Sequence, residues 1–134
     1  MAWIRCCGGS KAPEPFFIIV NGILQTGCTI SGAGIAQGAT YVNVDKWGNN
    51  GGDVVLSTPK TGYSKLQVTF YMQNTTSILH MAVNAKNKVG TMGSTSVQTM
   101  ELTLDPNSDI VSQINLTIDG SNGSAFVTQM ALLA

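Results

Sequence analysis

The sequence predicts an all-β domain, an antiparallel β-sandwich or jelly roll with an extended N-terminal arm. Apolar and polar residues alternate with period two along most of the chain, which sets one face of each segment against a core and the other toward solvent. These segments recur at roughly ten-residue intervals, divided by Gly, Asn, Asp and Pro clusters, the cadence of a sandwich and not of a helical bundle. No segment keeps a helical period beyond a turn or two.

In chain order, residues 1–15 read as an arm, punctuated by Gly8-Gly9-Ser10 and Pro13-Glu14-Pro15, of the kind that orders when docked. Residues 16–134 read as one sandwich domain. Phe16 to Val20 and Ile23 to Gln25 flank Asn21-Gly22, the strongest short hairpin signal, because both residues accept positive φ. Gly27 to Gly38 is rich in Gly, Ala and Ser and follows no clear period. Tyr41 to Asp45 reads as a strand, Trp47 to Asp53 as a glycine-rich loop, and Val54 to Leu56 as a strand before the turn Pro59 to Gly62.

Leu66, Val68, Phe70 and Met72 share a face, and Leu79, Met81 and Val83 share one after the polar stretch Asn74 to Ser77. This pair is expected to form a hairpin. Met100, Leu102 and Leu104 alternate with Glu101, Thr103 and Asp105. Beyond the turn Asp105 to Asp109, Ile114, Leu116 and Ile118 alternate with Asn115, Thr117 and Asp119, a segment expected to pair as a hairpin with the last strand. That strand, Ala125 to about Leu133, places Phe126, Thr128, Met130 and Leu132 on one face and Val127, Gln129, Ala131 and Leu133 on the other. Both faces are partly apolar, as expected mid-sheet or in a subunit contact.

The chain has 134 residues, 43% hydrophobic and 10% charged, enough to bury a core and well below the roughly 25% charge of an average domain. A neutral coat of Ser, Thr, Asn, Gln and Gly gives little repulsion between copies, so a homo-oligomer is expected. Seven Lys and Arg balance seven Asp and Glu, and Lys86 with Lys88 or Lys60 with Lys65 is too sparse to meet a run of phosphates, so no nucleic-acid partner is expected. No run approaches the roughly twenty apolar residues of a spanning helix, so no membrane partner is expected. Arg5 is followed by Cys6-Cys7-Gly8-Gly9-Ser10 and not by an apolar stretch, so no secretory signal is expected. Cys6, Cys7 and Cys28 lack metal-type spacing and read as reduced thiols, with a bridge from Cys28 to Cys6 or Cys7 as the alternative. Asn74-Thr75-Thr76, Asn115-Leu116-Thr117 and Asn122-Gly123-Ser124 match the glycosylation pattern and read as chance without a signal.

Titratable groups that could converge on a reaction are few. His80 is the single histidine and reads as an exposed or partly packed strand residue. Most aspartates sit in turns, where Asp has a local use, so no catalytic residue, and no enzyme, is expected. Asp45, Asn49, Asn50 and Asp53 could offer oxygens to calcium but form no spaced acidic motif, and zinc lacks ligands; neither a metal nor another cofactor is assigned. Aromatic rings on loops serve as sugar platforms, covering a pyranose face while amides and carboxylates bond its hydroxyls. Trp47 with Asn49, Asn50 and Asp53 is the candidate, and Tyr41, Tyr63 and Tyr71 could complete the surface. The competing and preferred reading has Trp47 plugging one end of the core. Trp3, with Ile4 and Arg5, is expected to anchor the arm on a neighbouring subunit.

The span Val54 to Leu133, through Tyr63 to Phe70, Met100 to Leu104, Ile114 to Asp119 and Phe126 to Leu132, resembles galactose-binding-like jelly rolls, the architecture of many carbohydrate-binding modules. The opening Met1-Ala2-Trp3-Ile4-Arg5-Cys6-Cys7-Gly8-Gly9 resembles the Cys-Gly-Gly starts of small structural proteins of phages and prophages of Gram-positive bacteria. Together the resemblances imply a virion structural or decorating protein, made in the host cytoplasm and partnered by other virion proteins. The alternative is an adhesin or receptor-binding module for host-surface carbohydrate. Neither family supplies catalytic residues to carry over.

Overall fold

A computed structural model describes residues 13–90 and 94–134; Trp3, Ile4 and Arg5 of the expected assembly arm, with Cys6 and Cys7, lie outside the described residues. The described residues contain no helix, and their strands form two antiparallel sheets packed face to face. In chain order these are β1 (Phe16–Val20), β2 (Ile23–Leu24), β3 (Cys28–Ser31), β4 (Ile35–Gln37), β5 (Val42–Asp45), β6 (Gly52–Lys60), β7 (Lys65–Met72), β8 (Ser77–Val83), β9 (Lys86–Val89), β10 (Gln98–Thr103), β11 (Val111–Gly120) and β12 (Ser124–Leu133).

The first sheet is built on β12. One side of β12 pairs with β7, which pairs in turn with β10. Its other side is shared: β1, extended by β2, pairs with the C-terminal half, and β5, extended by β4, pairs with the N-terminal half. The second sheet runs β3-β6-β11-β8-β9.

The alternation becomes a single core. Leu66, Val68, Phe70 and Met72 of β7 face Leu79, Met81, Val83, Ile114, Leu116 and Ile118 of the second sheet, all of them buried. The hairpin at Asn21-Gly22 forms as expected, with Val20 opposite Ile23 and both turn residues at positive φ. Gly22 also admits no side chain, because a Cβ there would lie 1.9 Å from the Thr40 carbonyl oxygen. Gly27 to Gly38 lacks a period because it holds two short strands in different sheets, β3 and β4.

Two expected hairpins are not hairpins. β7 and β8 belong to opposite sheets, as do β11 and β12. Alternation reports which side chains are buried, and an apolar row is equally satisfied beside a neighbour or across the core. The turns decide. Asn74 Oδ1 accepts from Ser77 N at 2.8 Å and Thr76 N at 3.0 Å, bending the chain over the sandwich end. Asn74 Nδ2 donates to Asn122 O at 3.1 Å, and Ser77 Oγ to Ser121 O at 2.9 Å. Both crossings therefore lie at one end and are tied together.

Replacing Leu116, fully buried at the centre of β11, by Ala is expected to cost about 2–5 kcal/mol. Urea unfolding should show this as a lower midpoint with an unchanged slope. The turn after β10 makes a pH prediction. The Asn107 amide, then the Ser108 hydroxyl, hold the Asp105 carboxyl below the usual carboxylate range, and the Asp105 amide, then Lys86, do the same for Asp109. Folded values below the unfolded one of about 3.9 mean that the contribution is present above that pH and is lost as pH falls through the folded values. Carboxyl ¹³C titration should give both groups midpoints below that of an ordinary aspartate, and Asp105→Asn, which keeps the backbone amide and removes a like charge, should not raise that of Asp109.

Candidate functional site

The sequence-predicted residues are not brought together. Trp47 does not plug the core: it is 57% exposed on the loop between β5 and β6. That end is closed instead by Ile35, which is buried, and by backbone packed on backbone. A Cβ on Gly34 would lie 2.1 Å from the Asn49 carbonyl oxygen. The loop is tightly pinned. Gly51 N donates to Asp45 O at 2.8 Å and Gly34 N to Gly51 O at 2.9 Å, while Lys46 Nζ reaches Gly120 O at 2.6 Å.

Asn50 serves this scaffold: its Nδ2 donates to Ile118 O at 2.8 Å and its Oδ1 accepts from Ile118 N at 2.7 Å. Asn49 is exposed beside Trp47. Asp53 sits on the outer face of the second sheet, where its Oδ1 accepts from Asn115 Nδ2 at 3.1 Å. Tyr63 follows the far end of β6, on the order of 25 Å along the strand from Gly52. It is buried, its hydroxyl donates to Glu14 O at 2.7 Å, and burial, then Glu14, push its pKa up. The oxygens considered for calcium are thus largely engaged, and no three His, Cys, Asp or Glu gather among the described residues.

Another constellation forms on the outer face of the first sheet. Tyr71 lies between the buried Phe70 and Met72, Phe126 between the buried Ala125 and Val127, and Tyr41 beside the buried Val42, so all three point away from the core. Phe126 is in register with Tyr71 on one side and Asn43 on the other. Its ring centroid lies 4.7 Å from Tyr41 and 4.9 Å from Tyr71, with tilted planes. These distances match the spacing of adjacent strands, so the aromatic row crosses β5, β12 and β7.

The face continues along the strands as uncharged and paired polar groups. Gln129, Thr69 and Thr99 form the next row, with the two threonine hydroxyls 3.1 Å apart. Beyond it Glu101 accepts from Gln67 Nε2 at 2.8 Å and pairs with Lys65 at 3.5 Å. Phe17, 53% exposed and opposite Ala131, closes that end. From the Tyr71 row to the Gln67 row is ~13 Å along β7.

Beside Phe126, Asn43 Nδ2 donates to Asp45 Oδ2 at 2.7 Å, and the other Asp45 oxygen accepts from Ser124 Oγ. Asn43 Oδ1 is buried and has no hydrogen-bond partner among the described residues. Exchanging the amide's O and N would put oxygen against carboxylate, so the pairing with Asp45 fixes the orientation. A buried acceptor left unpaired costs about 1–3 kcal/mol.

Phe126 was hidden in the sequence by a β-bulge. Strict alternation groups it with Met130 and Leu132, but the register of β12 on β7 slips between Val127 and Gln129. Phe126 therefore faces out while Val127, Met130 and Leu132 all face the core. Of the aromatic residues considered, Tyr41 and Tyr71 join it and Tyr63 does not. His80 is partly buried in β8, opposite Thr117 and Val89. Cys28 is buried, and burial raises its pKa, opposed by Lys60.

The fold is similar to that of carbohydrate-binding modules of family 29. A variant described as complexed with mannohexaose superposes with a TM-score of 0.68 at 14% identity, covering 89% of this chain and 90% of that one. A variant described as complexed with cellulohexaose gives 0.65 at 11%, covering 89% of each chain, and a further family 29 module gives 0.66 at 12%, covering 89% and 87%. Likeness at such identity establishes the fold alone. No protein-family model and no curated protein matches the chain.

The division between scaffold and presentation makes a stability prediction. Asn50→Ala should cost on the order of 1–3 kcal/mol, because it leaves the Ile118 backbone groups unpaired. Trp47→Ala, at an exposed position, should stay within about 0.5 kcal/mol of the parent. Urea unfolding of both variants checks the difference.

Proposed function

We propose that this chain is a non-catalytic carbohydrate-binding module that seats a neutral polysaccharide on the outer face of its first sheet. The observation that carries the reading is the contact row Tyr41-Phe126-Tyr71, followed along the strands by Thr69, Thr99 and Gln129. Aromatic rings cover the apolar face of a pyranose, while hydroxyls and amides both donate to and accept from its hydroxyls. The family 29 modules share this fold, and two of those compared are described as holding mannohexaose and cellulohexaose. Neutral hexose chains are accordingly the ligand class proposed here. A virion setting, expected from the N-terminal residues, would give the same face host-surface glycan as its target. An assembly role through the arm and neutral surface draws no support from the fold.

Binding to mannohexaose and cellulohexaose by isothermal titration tests the reading. Phe126→Ala is expected to lose about 2 kcal/mol, roughly thirtyfold in Kd, while Trp47→Ala keeps parental affinity. Loss with Trp47→Ala and retention with Phe126→Ala would return the site to the loop. Contacts made by rings and neutral groups should also leave affinity nearly unchanged as salt rises from roughly 0.1 to 1 M.

A further inference from the structure

We infer that Asn43 is the specificity-determining acceptor of this face, its Oδ1 receiving a hydroxyl of the sugar seated against Phe126 and Tyr41, with Asp45 as its positioning residue. The inference rests on the glycan-binding reading above and deepens it. Asn43 shares the outward side of β5 with Tyr41 and Asp45, and stands in register with Phe126 on one side and Ala36 on the other. Its oxygen is the buried side-chain acceptor that lacks a partner among the described residues. Its nitrogen is committed to Asp45, and Asp45 is in turn held by Ser124 and by Asp45 N donating to Gly34 O at 2.7 Å. The carboxamide is therefore oriented before any ligand arrives.

Because Oδ1 is closed off from solvent, a hydroxyl reaches it only when a neighbouring group shifts on binding. A site that offers a buried acceptor discriminates against a ligand with no matching donor, because binding such a ligand leaves the acceptor unpaired. Recognition is thereby assigned to a hydroxyl pointing down from the ring-stacked sugar and not to bulk apolar contact.

The experiment titrates mannohexaose and cellulohexaose into the parent, Asn43→Ala, Asp45→Ala and the double variant, with thermal unfolding measured in parallel. Asn43→Ala is expected to weaken binding of the preferred hexaose at least tenfold and to narrow the preference between the two, with unfolding temperature held or raised. Asp45→Ala should weaken binding as well, and the double variant should lose no more than the worse single one. Parental affinity in a folded Asn43→Ala overturns the inference while leaving the glycan-binding reading intact. A parent that binds neither hexaose overturns both. Should Asn43→Ala fail to fold, the side-chain amide resonances of Asn43 in the ¹⁵N-labelled parent decide: a shift on titration supports the inference, and no shift in a binding parent overturns it.

Discussion

The structure depends on the irregularity at the centre of β12. A long strand buried in the middle of a sheet must keep apolar side chains in the core at both ends, and one fixed period would send half of them outward. The slip at Thr128 resets the phase, so that Ala125 and Val127 on one side of it and Met130 and Leu132 on the other all reach the interior. The bulged residue is not left loose: its carbonyl accepts from Gly22 N at 2.9 Å and its hydroxyl donates to the Thr69 carbonyl at 3.3 Å. The turn of the first hairpin thus secures the point at which the last strand changes phase.

The same slip sets the chemistry of the exposed face. A single period that kept Met130 and Leu132 in the core would also turn Phe126 inward. With the phase reset, Phe126 meets Tyr71 and Tyr41 on the outside, and Asn43 falls beside it. The groups that hold this arrangement are backbone hydrogen bonds, uncharged side chains and the Asp45 carboxylate. Most of the face is thereby preorganised, and little rotamer freedom is lost when a ligand settles on it.

Much of the fold was legible because burial leaves a direct trace in alternating segments. The rows Leu66 to Met72, Leu79 to Val83 and Ile114 to Ile118 all proved to be core, and the turn at Asn21-Gly22 announced itself by residue type. Sheet membership was not legible, since the rows of β7 and β8 read identically whether the strands are neighbours or face each other. Asn74 carried that information, in hydrogen bonds to Ser77 and Asn122 that no local rule foretells. The site was half legible: alternation offered Tyr41 and Tyr71 as platform residues, but it grouped Phe126 with Met130 and Leu132, from which the bulge separates it. Trp47 drew attention through its glycine-rich loop, whose glycines allow close backbone packing against Gly34.

The crossings from one sheet to the other have a kinetic side. Apart from β1 with β2, β4 with β5 and β8 with β9, strands pair with partners distant in sequence, and β12 must wait for β1, β5 and β7 to have formed around its place. Closing such long loops before contacts reward them puts this architecture among slow folders, on a scale of milliseconds to seconds. Until β12 is in place, β7, β1 and β5 stand with bare edges, so a nascent chain released before β12 would expose three sticky strands.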